Sequence, residues 1–356
     1  ALSHLPISLI NLAIIAIQLC KTTLVASKNF DTPANGIMVT RRTRRWGGEV
    51  RQAAKVMVRQ SQERVPMNDV ILFGRDPRYI PRVAAVHDMC GYGKCSLTAA
   101  IPILSAAGCD GLSGADGLFS AHTRYEVFTF HDTTEILDGY LDAWRKENVD
   151  LDACIPVFLL RRQVEIIKRL YSQYPHALRL VDPVMGMDEI YATYTPELCE
   201  AMGTLVDGAD VLMPNLTEAS ILTKRTYPGR DLSDAEVNDM IDALLDLGAK
   251  NVVLKGIDHD VVSQIRNYVA SAASGASGKQ ELAHSKLPFM THGTGDAFAS
   301  ALCGALMAGR PLAESAHIAG EFVRRAMENT QYQTAHDERG VSFELNLDEL
   351  TQLVRR

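Results

Sequence analysis

The sequence predicts an α/β fold: a mainly parallel central sheet covered by helices on both faces. Three observations carry that expectation. Short apolar runs of strand type alternate with longer segments of helical periodicity. A hydrophobic fraction of 47% over 356 residues supplies a substantial core. Polar residues suited to chemistry follow directly after several strand candidates, and ligands of parallel sheets sit outside the carboxyl ends of the strands.

The pattern becomes regular at Arg82. Val83-Ala84-Ala85-Val86 reads as a buried strand, and Asp88 to Gly93 is rich in turn residues. Residues 96–107 have helical periodicity and stop at Gly108, a C-cap residue. Further strands are expected at 153–158, 178–181, 211–213 and 251–254, and helices at 133–147, 162–174, 196–206, 234–247, 294–308 and 312–330. Residues 261–269 and 280–284 read as an antiparallel pair joined by the flexible linker 271–278.

Residues 1–78 are read as a leader or N-terminal extension and 79–356 as the catalytic domain. Pro6 to Leu19 is almost wholly apolar but short for a membrane span, and Arg41-Arg42-Thr43-Arg44-Arg45 is a basic cluster without periodicity. The formal charge of −7 argues against nucleic acid as a partner. Seven dispersed cysteines without a C-x-x-C pair indicate reduced thiols in a cytoplasmic protein and no structural zinc.

The most informative motif is Gly293-Thr294-Gly295-Asp296, opening into the apolar run that starts at Ala297. Its glycines let the backbone turn tightly, and the unpaired N–H groups of a helix start attract an anion. A carboxylate at that position is either an N-cap or a general base beside a phosphoryl-binding turn. Asp182, in Asp182-Pro183-Val184-Met185-Gly186, stands at a strand end and is either a crevice carboxylate or a turn starter. Asn215 and Glu218 share a face if a helix begins near Thr217, and can order water around Mg²⁺ or serve the helix start alone. Lys255 ends a buried strand and can neutralise nucleotide phosphate or extend to solvent at a sheet edge.

The order Gly91-Tyr92-Gly93, Phe119-Ser120-Ala121-His122-Thr123, Asp182 to Gly186, Asn215 to Glu218 and Gly293 to Asp296 resembles the ribokinase-like superfamily. Within it the chain is most similar to pyridoxal/pyridoxamine kinases, over residues 82–330. The resemblance implies a three-layer αβα sandwich that moves the γ-phosphoryl group of ATP to the 5′-hydroxymethyl group of a vitamin B6 vitamer. It implies Asp296 as base and the amides of Gly293, Thr294 and Gly295 as anion hole. Asp182 and Glu218 would organise Mg²⁺, directly or through water, with Asn215 in support, and Lys255 would face the nucleotide. Asp88, Tyr92, His122 and Thr123 would meet the substrate. Each has a plainer reading: Asp88 as a turn cap, Tyr92 as core, His122 as a hydrogen-bonded structural residue. ATP and Mg²⁺ are the implied cofactors, with a monovalent cation as a further candidate, and a homodimer is the implied assembly. No membrane contact is expected of the core domain. Residues 124–128 and 157–162 lack the glycines that relatives carry there, which leaves hydroxymethylpyrimidine, the thiamine precursor, as the alternative acceptor, or a non-catalytic nucleotide- or pyridoxal-phosphate-binding homologue.

Overall fold

The computed structural model describes residues 66–67, 70–157, 160–191, 194–229, 232–258, 263–275 and 278–355. The apolar run at 6–19 and the basic cluster at 41–45 lie outside them. Among the described residues, nine strands form one sheet in the order β11-β10-β9-β8-β5-β4-β1-β2-β3. The strands β1 (Arg82–Cys90), β2 (Asp110–Phe119), β4 (Ala153–Pro156), β5 (Leu178–Val181), β8 (Val211–Leu212) and β9 (Asn251–Ile257) pair in parallel. Antiparallel strands close both edges: β3 (Phe130–Asp132) beside β2, then β10 (Gln264–Ser271) and β11 (Gln280–Ser285) beyond β9.

Strand alternation builds the three layers. In β1, Val83 and Ala85 join one core while Ala84 and Val86 join the other. Leu180 and Val181 of β5, and Val211 and Leu212 of β8, divide in the same way. A strand apolar on both faces must be covered on both, which is why these runs are continuous and not alternating. One layer contains α1 (Ser96–Ala106), α7 (Thr294–Met307), α8 (Leu312–Thr330) and α10 (Leu347–Arg355). The other contains α2 (Thr134–Lys146), α3 (Arg161–Gln173), α4 (Pro196–Gly203), α5 (Leu216–Thr223) and α6 (Asp234–Asp246). A short α9 (His336–Arg339) precedes α10.

Several expectations change. β1 runs to Cys90, so Asp88, Met89 and Cys90 lie in the strand and not in the turn. β2 was not foreseen, because Gly111, Gly114 and Gly117 give it a turn-like composition. α5 begins at Leu216, with Asn215 as its N-cap, one residue before the expected start. Met67 and Val70 are buried in the core and Leu72 and Phe73 pack on it, so core packing begins upstream of residue 79. The hairpin β6 (Gly186–Met187) with β7 (Glu189–Ile190) lies just beyond Asp182.

On α8, Glu321 accepts hydrogen bonds from Arg324 at 2.7 Å and from Arg325 at 2.7 Å. These bonds, chiefly that of Arg324, depress its carboxyl to about 2 despite partial burial. A depressed folded-state value contributes stability that is fully present above the unfolded value near 4.5 and is lost as pH falls toward 2. Glu321→Gln is therefore expected to flatten the acid limb of the urea-unfolding free energy between pH 5 and 2.5. An acid limb as steep as wild type would refute that role.

Candidate active site

The carboxyl ends of the parallel strands place the polar side chains. Asp88 lies near the end of β1, Asp182 follows β5, Asn215 follows β8 and Lys255 lies in β9. Lys255 does not extend to solvent at an edge: β9 sits between β8 and β10, and the side chain is 12% exposed. Its Nζ donates to Asp182 Oδ1 at 2.5 Å, and Asp182 is fully buried. Burial opposes the charge on Lys255, yet Asp182 and Glu218 together hold it above its ordinary value. The second oxygen of Asp182 is buried without a protein partner.

Asn215 and Glu218 form a reciprocal capping box on α5. Glu218 N–H donates to Asn215 Oδ1 at 2.9 Å, and Asn215 N–H donates to Glu218 Oε2 at 2.8 Å. The Asn215 amide also donates to Gly186 O at 2.8 Å, and the Met185 amide donates to Glu218 Oε1 at 3.3 Å. These bonds tie α5 to the loop behind Asp182. Burial pushes the Glu218 carboxyl up to about 8, with Lys255 opposing and Asp182 adding to the rise.

The turn before α7 depends on Gly293, whose φ is 78°. A Cβ there would stand 1.9 Å from Lys94 O, so no other residue fits without moving the backbone. Without a cap side chain, α7 leaves its first-turn N–H groups available to a ligand. A Cβ on Gly295 would meet only Lys255 Nζ, at 3.9 Å, so the turn faces an ammonium group. Burial raises the Asp296 carboxyl, while the Ser96 backbone and Lys255 pull it back. Burial chiefly raises Asp182 and Asp88, and the charge of Asp296 adds to both. The N-cap reading of Asp296 does not hold, since Gly293 occupies that position.

Asp88 is buried; Ser96 Oγ donates to its Oδ1 at 2.5 Å and Cys90 Sγ to its Oδ2 at 3.2 Å. Ser96 was not singled out from the sequence, although its hydroxyl bonds Asp88 and its backbone lowers Asp296; its φ of 52° is left-handed for a non-glycine residue. His122 is buried against Gly93, accepts the Arg124 amide at Nδ1 and packs 5.4 Å from the His292 ring. Tyr92 is not a core residue: it is 49% exposed, its ring tilted against that of Tyr125 at 5.1 Å with Arg339 over it. Thr123 is exposed. Thus Asp88, Asp182, Asn215, Glu218, Lys255 and the 293–296 turn come together, whereas Tyr92 and Thr123 stand on the rim. A cavity of about 310 Å³ adjoins them, lined by Asn215, Lys255, Asn267, Thr294, Gly295 and Phe298.

The mainly parallel three-layer sandwich is that of the ribokinase-like class. The chain belongs to the phosphomethylpyrimidine kinase family, whose family model matches residues 153–341. A hydroxymethylpyrimidine/phosphomethylpyrimidine kinase of Staphylococcus aureus is 27% identical over 170 residues, covering 47% of this chain and 59% of that protein. The chain thus matches less than two thirds of that curated relative's length. A candidate phosphomethylpyrimidine kinase of Bacteroides thetaiotaomicron, solved with pyridoxal, is 29% identical with a TM-score of 0.70, covering 78% of this chain and 96% of that one. Pyridoxal kinase from Lactobacillus plantarum is 26% identical with a TM-score of 0.71, covering 77% and 98%.

Truncating one member of a buried ion pair leaves the other charge uncompensated, at a cost of about 3–5 kcal/mol. Lys255→Met is expected to lower stability in urea unfolding by that order, and adding Asp182→Asn to recover most of the loss. Additive effects of the two substitutions would show that the pair is not coupled.

Proposed function

We propose that this protein is an ATP-dependent kinase of hydroxymethyl heterocycles, with pyridoxal and its vitamer relatives as acceptors in pyridoxal 5′-phosphate salvage in the cytoplasm. The observation that carries the reading is the uncapped α7 start, with Asp296 in its first turn and Lys255 facing Gly295. Phosphoryl transfer asks mainly for in-line positioning and for neutralising charge on the equatorial oxygens. The amides of Gly293, Thr294 and Gly295 supply oriented donors, and Lys255 supplies a positive charge that Asp182 holds in place. Asp296, its carboxyl raised by burial, accepts the acceptor hydroxyl's proton as the oxygen–phosphorus bond forms. The cavity lined by Asn215, Lys255 and Thr294 suits the nucleotide.

The donor set fits Mg²⁺. Asp182 has an orphaned buried carboxylate oxygen, and Glu218 is a second hard oxygen ligand within reach of the same charges. Asp182 and Glu218 would hold the ion, directly or through water, and it would add positive charge at the transferring phosphate. On the acceptor side, Asp88 carries a carboxyl raised by burial, which suits a hydrogen bond to a ring nitrogen. Support for pyridoxal comes from the Bacteroides structure solved with it. The family's own description and the curated relatives favour hydroxymethylpyrimidine as the second reading.

A coupled ADP-release assay with pyridoxal, pyridoxamine and hydroxymethylpyrimidine as acceptors separates the two. Highest kcat/KM for a pyridoxal vitamer supports the first reading; preference for the pyrimidine selects the second. Asp296→Asn is expected to fold normally and to lose on the order of 10²–10³ in kcat or more. Wild-type turnover in that variant would remove Asp296 from the base role, and ligand binding without transfer to any acceptor would contradict the kinase reading.

A further inference from the structure

The end of β1 and the start of α1 set two thiols and a carboxylate against each other. Cys90 Sγ lies 3.2 Å from Asp88 Oδ2, and Cys95 Sγ lies 3.2 Å from Cys90 Sγ. One ligand atom from each of the three residues falls within 4.8 Å of the other two. Phosphoryl transfer makes no use of either thiol. The cysteines are separated by four residues, a spacing outside the C-x-x-C pattern, which is why the sequence does not announce them as a pair.

The geometry points to a metal site. An ion held tetrahedrally by two sulfurs at about 2.3 Å and one oxygen at about 2.0–2.2 Å keeps its ligand atoms roughly 3.3–3.8 Å apart. The two 3.2 Å separations need to open by about 0.4–0.6 Å, and the Asp88 and Cys95 ligand atoms already lie within 4.8 Å of each other. A disulfide needs the sulfurs at about 2.05 Å, more than 1 Å closer than they stand. The carboxylate is also oriented in advance: Ser96 Oγ bonds Oδ1 at 2.5 Å and leaves Oδ2 directed at Cys90. Hydrogen bonds of this kind fix metal-binding carboxylates. Among the described cysteines, Cys95 alone is not fully buried, so the cluster has one open side.

We propose that Asp88, Cys90 and Cys95 bind a thiophilic divalent cation of the zinc class, with the fourth position open to water. Two metal–sulfur bonds and one metal–oxygen bond form; each thiol gives its proton to solvent, and the ion sheds the waters these ligands replace. The site stands next to Asp296, whose charge acts on both Asp88 and Cys95. If Asp88 receives the acceptor, the ion and the acceptor exclude each other, and Zn²⁺ inhibits competitively with the heterocycle. That consequence rests on the kinase reading; the binding itself does not.

The test is a Co²⁺ titration of the full chain, stripped of metal and reduced with a phosphine. One equivalent should give thiolate-to-cobalt charge-transfer bands and tetrahedral d–d bands, both removed by Zn²⁺. Cys90→Ser and Cys95→Ser should each abolish the charge-transfer bands or weaken binding by at least about 10–100-fold, and Ser96→Ala should weaken it by about 10-fold with the bands intact. On the wild-type chain, Zn²⁺ should protect Cys90 and Cys95 from alkylation, read by peptide mass spectrometry. Absence of thiolate bands in wild type, bands unchanged in both cysteine variants, or no protection of either cysteine would overturn the site. These readouts do not depend on phosphate transfer, so a failed kinase assay leaves them unaffected.

Discussion

One ammonium group serves three carboxylates in the crevice at the strand ends. Lys255 bonds Asp182 directly, while Glu218 and Asp296 both act on its charge. Three acids around one base leave the site short of positive charge, and burial magnifies the shortage. Burial is the main cause of the raised carboxyls of Glu218, Asp182 and Asp296; Asp182 adds to the rise at Glu218 and Asp296 to that at Asp182, while Lys255 lowers all three. The same shortage gives the site its chemical character. A proton acceptor of raised basicity stands beside oriented amides, and the carboxylates on the other side of Lys255 can take a divalent cation. Without Lys255 the acids would repel one another and an incoming phosphate alike.

The scaffold holds this arrangement by backbone contacts more than by side-chain packing. Gly293 lies against the Lys94 carbonyl, and the Lys94 amide donates to Arg339 O at 2.9 Å. The Val341 amide donates to His292 O at 2.9 Å. Three loops far apart in sequence thus fix the entry to α7, while the capping box of Asn215 and Glu218 fixes the entry to α5. Both helix starts bring acidic residues to one crevice, α5 directly after the parallel strand β8 and α7 after the loop that follows the antiparallel β11.

Much of this was legible in the residues. Continuous apolar runs such as Val83 to Val86 announced strands buried on both faces, and the helix periods of α2, α3, α6, α7 and α8 were clear. What escaped notice has physical reasons. β2 is stabilised by its neighbours β1 and β3, and its glycines hide it from any propensity. α10 follows loops that bear no cap signal read from the sequence, and only packing on α1 and α8 explains it. Asp182, Glu218, Lys255 and Asp296 were found by their motifs, but their pairing was not, since a 2.5 Å contact across 73 residues leaves no local trace. Ser96 was missed because the carboxylate it bonds, Asp88, lies eight residues away and the two share no motif. Of the two readings of Tyr92, the core one is excluded because a ring beside two glycines can turn outward onto Tyr125 and Arg339.

The charge shortage itself is open to a direct measurement: calorimetric titration of ATP into the full chain, with and without Mg²⁺. A crevice that lacks positive charge should bind the nucleotide at least about tenfold more tightly with the ion present, a difference of about 1.4 kcal/mol. Equal affinities in the two titrations would contradict the electrostatic basis of the site.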